Sequence, residues 1–215
     1  MNNINFYNVI KRSFLILTVI FLISGCSDSI SNNEKRLQAI AQAKPVYASN
    51  AIRLKMTADA QLNVFNNIPN SCTILIAQAE KREQLDKLLA NPVLLRNLFA
   101  GTGATEQILQ LDNYVMMPGQ SVSLHIDRAE QARYIALIAG YYPAPNNIHI
   151  RVLSLPLHLE QHGWWNKSWN AEFVPMNIEL TLGRYAITRS DFSAGNTGDE
   201  VIFPGHGNDR NSLRK

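Results

Sequence analysis

Arg133-Tyr134-Ile135-Ala136-Leu137-Ile138-Ala139-Gly140-Tyr141-Tyr142 is the stretch that decides the fold class. It is apolar on both phases of a two-residue period, rich in aromatic and branched side chains, and cut off by Pro143 and Pro145. A short continuous apolar run with such an end reads as a fully buried strand. On its C-terminal side Ile148, Ile150 and Val152 alternate with His149 and Arg151 until Pro156 closes the segment. On its N-terminal side Val122, Leu124 and Ile126 alternate with Ser121, Ser123 and His125. Pro118-Gly119 precedes that strand and supplies a turn, proline presetting one φ and glycine accepting a positive one. With the less regular run Ile108 to Met116 before the turn, the pair reads as a hairpin.

Further out the same period recurs. Ile52, Leu54, Met56 and Ala58 alternate with Arg53, Lys55 and Thr57, a half-buried strand. Cys72 to Ala79 is apolar on nearly both faces and reads as a central strand. Ile178, Leu180 and Leu182 alternate with Glu179 and Thr181, and Gly183 bends the chain before Tyr185 and Ile187. One stretch is helical. Leu85, Leu88 and Leu89 fall at helical spacing, and Leu95, Leu98 and Phe99 repeat it. Asn91-Pro92 supplies an N-cap and a first-turn proline, and Gly101 a stop. The expected fold is therefore mainly β, an antiparallel β-sandwich of about seven to eight strands with a short helical insertion between strands two and three.

The N-terminus carries an address. Lys11 and Arg12 precede an apolar run from Phe14 to Ile23, and Ile23-Ser24-Gly25-Cys26 follows. A positive pair, a short apolar core and small residues before a cut are the parts of a secretory signal. The run is shorter than the roughly 20 residues a bilayer core requires. The cysteine after Ser24-Gly25 resembles the lipobox of bacterial lipoproteins, which implies cleavage before Cys26 and fatty-acyl chains on it. Ser27, rather than aspartate, implies export to the outer membrane. Cleavage removes Lys11 and Arg12 and leaves 18 basic against 17 acidic residues, so no basic footprint for nucleic acid survives. With Cys26 acylated, Cys72 has no partner for an internal disulfide and reads as a small buried hydrophobe.

Four segments follow: 1–25 as signal peptide, 26–50 as lipidated N-terminus and tether, 51–189 as the sandwich, and 190–215 as a flexible tail. The tether admits a helical turn or two over Glu34 to Ala43, with Leu37 and Ile40 on one side. The tail is rich in Gly, Asn and Asp and short of apolar residues to order it.

Catalytic motifs are missing from the sequence. There is no Gly-x-Ser-x-Gly elbow and no phosphate loop, and Ser, His and Asp show no spacing that selects a nucleophile and base. His158 and His162 would share a helix face and could bind zinc, but Pro156 and Gly163 argue for surface loop histidines. His125 and His149 occupy polar strand phases, where exposure is expected. The cluster Trp164-Trp165-Asn166-Lys167-Ser168-Trp169 is unusual. It reads either as packing at the sandwich edge, the favoured reading, or as a partner or lipid contact made by Trp164, Trp165 and Trp169.

Taken in order, lipobox, tether, Gln61-Leu62-Asn63 at the end of the first strand, the helix-bearing link, Pro118-Gly119 with Ser121 to Ile126, and Ala132 to Ala139 resemble the type VI secretion outer-membrane lipoprotein family, TssJ (SciN or VasD). The likeness runs from about Ala51 to Leu157. It implies a transthyretin-like sandwich, no enzymatic activity, no cofactor beyond the lipid on Cys26, and binding to the periplasmic domain of TssM within a TssJ-TssL-TssM complex. It also points to the loop after the first strand as the contact. Here that loop is Val64, Phe65, Asn66, Asn67, Ile68, Pro69 and Asn70, in which apolar side chains alternate with residues that cannot continue a strand. Phe65 either meets a partner or folds back on the sandwich end. Two alternatives remain: an adaptor of another envelope or pilus machine, and a periplasmic metal-binding protein using His158 and His162.

Overall fold

Residues 31–103, 106–165, 167–195 and 200–205 are described by a computed structural model. The segment expected as a signal peptide, Cys26, Ser27, His206 and the last residues of the tail lie outside them. The chain divides into two compact units, Met1–Lys35 and Arg36–Lys215. Of the first, only residues 31–35 are described. Ser31 caps a helix there: its hydroxyl accepts from the Glu34 N–H at 3.2 Å, and its own N–H donates to Glu34 Oε2 at 2.8 Å.

The second unit is built on two four-stranded sheets packed face to face. The first has the order β10-β9-β1-β4, from strands Ala48–Ala58 (β1), Ser121–Arg128 (β4), Met176–Leu182 (β9) and Ile187–Ala194 (β10). The second has the order β3-β2-β5-β6, from Cys72–Ala79 (β2), Gln110–Met116 (β3), Tyr134–Ala139 (β5) and Ile150–Ser154 (β6). Between them lies the main core. Ile52, Leu54 and Met56 of β1 and Ile178 and Leu180 of β9 meet Ile74 and Ile76 of β2 and Ile135 and Leu137 of β5. Each such fully buried side chain contributes about 1.5–3 kcal/mol through removal from water.

β2 and β5 are covered on both faces, which is why they read as nearly continuous apolar runs. Their second face, with Leu75, Ala77, Ala136 and Ile138, is covered by two helices, Arg82–Leu89 (α2) and Pro92–Phe99 (α3). These place Leu85, Leu88, Leu95 and Leu98 on the sheet. Asn91 Oδ1 accepts from the Leu94 N–H at 3.0 Å with Pro92 in the first turn, and Gly101 ends α3 at φ 72°. The helical insertion forms where the spacing predicts it.

The hairpin expected around Pro118-Gly119 does not form. The turn itself is present, with Gly119 at φ 74° and the Gln120 N–H donating to the Met117 carbonyl. Its two arms enter different sheets: β3 pairs with β2, and β4 pairs with β1. Turn chemistry fixes two pairs of dihedrals but not the strand that each arm will pair with. Leu124 stands opposite Leu54, so the apolar phase read for β4 is right while its neighbour was misassigned. β9 lies on the other side of β1 and runs parallel to it, the one parallel pairing among the described strands.

A third sheet, absent from the sequence expectation, has the order β11-β7-β8, from Leu157–His162 (β7), Ser168–Phe173 (β8) and Val201–Ile202 (β11). It carries a small core of Leu157, Leu159 and Ala171 with Ala43, against which Ala39, Ile40 and Trp169 pack. Ala39 and Ile40 belong to the helix Asn32–Gln42 (α1). The stretch expected as a tether to Asn50 is thus folded from Arg36 onward, and β1 begins at Ala48. Phe173 ties this sheet to the sandwich, with the guanidinium carbons of Arg128 and Arg133 each 5.5 Å from its ring centroid. The tail expected from Ser190 is also partly structured. β10 runs to Ala194, β11 pairs with β7, and Phe192 and Phe203 pack edge to face at 5.0 Å.

Candidate partner interface

Three connections meet at one end of the sandwich: the β1–β2 loop, the corner after β5, and the β9–β10 link. The β1–β2 loop is held by asparagines. Asn63, at φ 47° and nearly buried, donates from Nδ2 to the Ser71 carbonyl at 2.7 Å, and its Oδ1 accepts from the Tyr142 N–H at 2.9 Å. Asn66 and Asn67 both have positive φ, 50° and 60°. They form a two-residue turn closed by reciprocal N–H to carbonyl bonds between Phe65 and Ile68, each 3.0 Å. Asn tolerates this region better than other non-glycine residues because its short amide bonds locally. Asn70 Nδ2 then donates to the Ile68 carbonyl at 2.7 Å. What reads in sequence as a polar interruption is a rigid small hairpin.

Its apolar side chains point outward. Ile68 is 63% exposed and Phe65 43%. Phe65 does both things its sequence allowed: one face packs on Tyr142, ring centroids 4.1 Å apart and tilted by 48°, and the rest meets solvent. Tyr142, Ile148 and Tyr185 are exposed large side chains on the neighbouring connections. A groove of about 420 Å³ adjoins this edge, lined by Leu89, Arg96 and Phe99 on the helix side and Tyr142, Pro143 and Pro145 on the corner.

Buried polar groups lock the three connections together. Tyr141 is buried, and its hydroxyl lies 2.9 Å from the Gly183 carbonyl and 3.0 Å from that of Ala186. His149, expected to be exposed, is buried. Its ring stacks on Tyr141 at 4.7 Å, Nδ1 accepts from the Asn146 N–H, and Nε2 lies 2.8 Å from the Tyr185 carbonyl. Alternation misplaced it because residues 147–149 form a 3₁₀ turn before β6 starts. Burial also pushes the Tyr141 hydroxyl upward, with the neighbouring Cys72 and Asp59 adding to it.

The other sequence candidates lie elsewhere. His158 and His162 sit on β7, not on a loop, so four residues separate them by about 13 Å along the strand and they cannot share one ion. Among the described residues no three His, Cys, Asp or Glu side chains gather as metal ligands. Cys72 is fully buried, and burial pushes its thiol up to about 12, the reverse of what a nucleophile needs. The tryptophans separate. Trp169 packs on the third sheet as favoured, whereas Trp164 and Trp165 stand exposed beyond the end of β7. No described helix is long and apolar enough to cross a membrane.

Residues 50–181 match the sequence family described as type VI secretion lipoprotein, VasD, EvfM, TssJ. The chain belongs to the type VI secretion lipoprotein family. That family is structural, membrane-bound and without enzymatic activity or a known cofactor. Among solved structures the chain is similar to the type VI lipoprotein TssJ1 from Pseudomonas aeruginosa, at 16% identity over 71% of this chain and 98% of that one, with a TM-score of 0.45. It is also similar to Serratia marcescens Lip, a membrane-bound component of the type VI secretion system, at 19% identity over 65% and 96%, with a TM-score of 0.47. No curated protein matches it.

Proposed function

We propose that this chain is an outer-membrane lipoprotein, acylated on Cys26, that anchors the type VI secretion membrane complex by binding the periplasmic domain of TssM. The domain faces the periplasm, and TssL joins through TssM. The observation that carries the contact is the asparagine-built hairpin that keeps Phe65 and Ile68 in solvent at one end of a rigid sandwich. Leaving an apolar pair exposed on so well fixed a loop suits an interface whose centre is a few apolar anchors within a polar rim. Val64 supports it from below, its N–H donating to the Arg184 carbonyl at 3.3 Å, while Asn66, Asn67, Pro69 and Asn70 form the rim.

The test is capture from the envelope. Tagged full-length chain, extracted in detergent from the outer-membrane fraction, should bring down TssM and with it TssL. A chain that fractionates with the outer membrane but captures neither would overturn the anchoring role.

A further inference from the structure

Trp164 and Trp165 are 85% and 91% exposed, the most exposed large apolar side chains described, and their rings pack on each other at 5.6 Å. They stand beyond the β7–β8 ladder, whose last pair is His162 with Ser168, where Gly163 at φ 87° turns the chain. Nothing in the core clusters covers them, in contrast to Trp169 one register step inside the ladder.

The course of α1 says which way this tip points. Arg36 places its guanidinium carbon 5.9 Å from the Trp169 ring centroid and pairs with Glu200. At the other end of the same segment Arg133 donates to the Ala41 and Ala43 carbonyls, and Arg133 lies over Phe173. Residues 36–43 therefore run alongside β8 in the same sense, Arg36 at the tip end and Ala43 at the far end. Ten residues separate Cys26 from Arg36, a span of at most about 35 Å even fully extended. Trp164 lies five residues from Trp169, at most roughly 17 Å. The chain that follows Cys26 thus enters this unit at the end that carries the tryptophan pair.

We infer that Trp164 and Trp165 are a second membrane contact, inserting into the headgroup region of the bilayer that holds the Cys26 acyl chains. Indole rings favour that region, where an apolar body and an N–H are both accommodated. Acyl chains alone leave a domain free to swivel; a protein contact at the anchored end fixes its orientation. This inference rests on the acylation of Cys26 in the function proposed above.

All three tryptophans of the chain lie in this segment, so indole emission reports it directly. Full-length protein carrying Trp169→Phe should be reconstituted in phosphatidylethanolamine–phosphatidylglycerol vesicles with brominated acyl chains, after mass spectrometry of the Cys26 peptide. The expected result is an acylated Cys26, blue-shifted emission and severalfold quenching relative to unbrominated vesicles. Acylated protein whose emission stays at the aqueous position and unquenched overturns the membrane contact. Should that emission shift only when the TssM periplasmic domain is added, the pair is a protein contact instead. Absence of lipid on Cys26 overturns the anchor and this inference together.

Discussion

Asn63 Oδ1 accepts the backbone N–H of Tyr142 at 2.9 Å, so one side chain joins the loop after β1 to the corner after β5. The same residue's Nδ2 reaches the Ser71 carbonyl. Two loops distant in sequence are therefore one surface, and Phe65 meets Tyr142 because their backbones are already fixed.

Asn63→Ala should loosen that surface. It leaves the Tyr142 N–H and the Ser71 carbonyl without their partners and puts alanine at φ 47°. A loss of about 2–4 kcal/mol is expected by denaturant unfolding. A change under about 0.5 kcal/mol would mean the amide does not hold the loop.

The strand register makes a sharp contrast between neighbours. Leu54 is fully buried between Leu124 and Ile178, while Lys55 faces out and pairs with Glu179 at 3.4 Å. Leu54→Ala should cost about 2–5 kcal/mol, and Lys55→Ala no more than about 0.5 kcal/mol. Equal effects on thermal unfolding would contradict the register.

Much of this was legible because it depends on local period. β1, β2, β5 and β9 and both helices of the insertion follow from where apolar residues recur, and Asn91-Pro92 and Gly101 mark helix ends by their own chemistry. Strand partners were not legible: the Pro118-Gly119 turn is the same whether its arms pair together or part into two sheets. β7, β8 and β11 were not legible because their small core is completed by Ile40 and Ala43, more than a hundred residues away in sequence. Within the site, Phe65 and Ile68 stood out as apolar residues among asparagines. The contribution of Tyr142 and His149 depends on long-range contacts that no spacing encodes.

Stability should fall on the alkaline side. Burial raises the Cys72 thiol from its usual 9.0 to about 12, so above pH 9 only the unfolded chain readily loses that proton. The stabilisation is complete below pH 9 and is lost as pH rises towards 12, with Tyr141 acting in the same direction at higher pH. Between pH 8 and pH 10 a loss of about 1 kcal/mol is expected from Cys72. Cys72→Ala should flatten that slope, and an unchanged slope would contradict the burial of a titrating thiol.

Cys26→Ser should abolish incorporation of labelled palmitate and release the chain from the outer-membrane fraction. One chain or more lost at this position removes most of the binding, since stable anchoring takes at least two. A variant that still fractionates with the outer membrane at the parent's level would show that something other than acylation holds it.

In the proposed complex the Phe65–Ile68 hairpin docks on TssM. Calorimetric titration of the TssM periplasmic domain into the full-length lipoprotein in detergent, with and without Phe65→Ala plus Ile68→Ala, tests it most directly. Neither side chain belongs to the core, and Phe65 packs only on the exposed Tyr142 ring, so the melting temperature should move little. A weakening of tenfold or more, about 1.4 kcal/mol, is expected. Unchanged affinity in a normally folded variant would contradict the site.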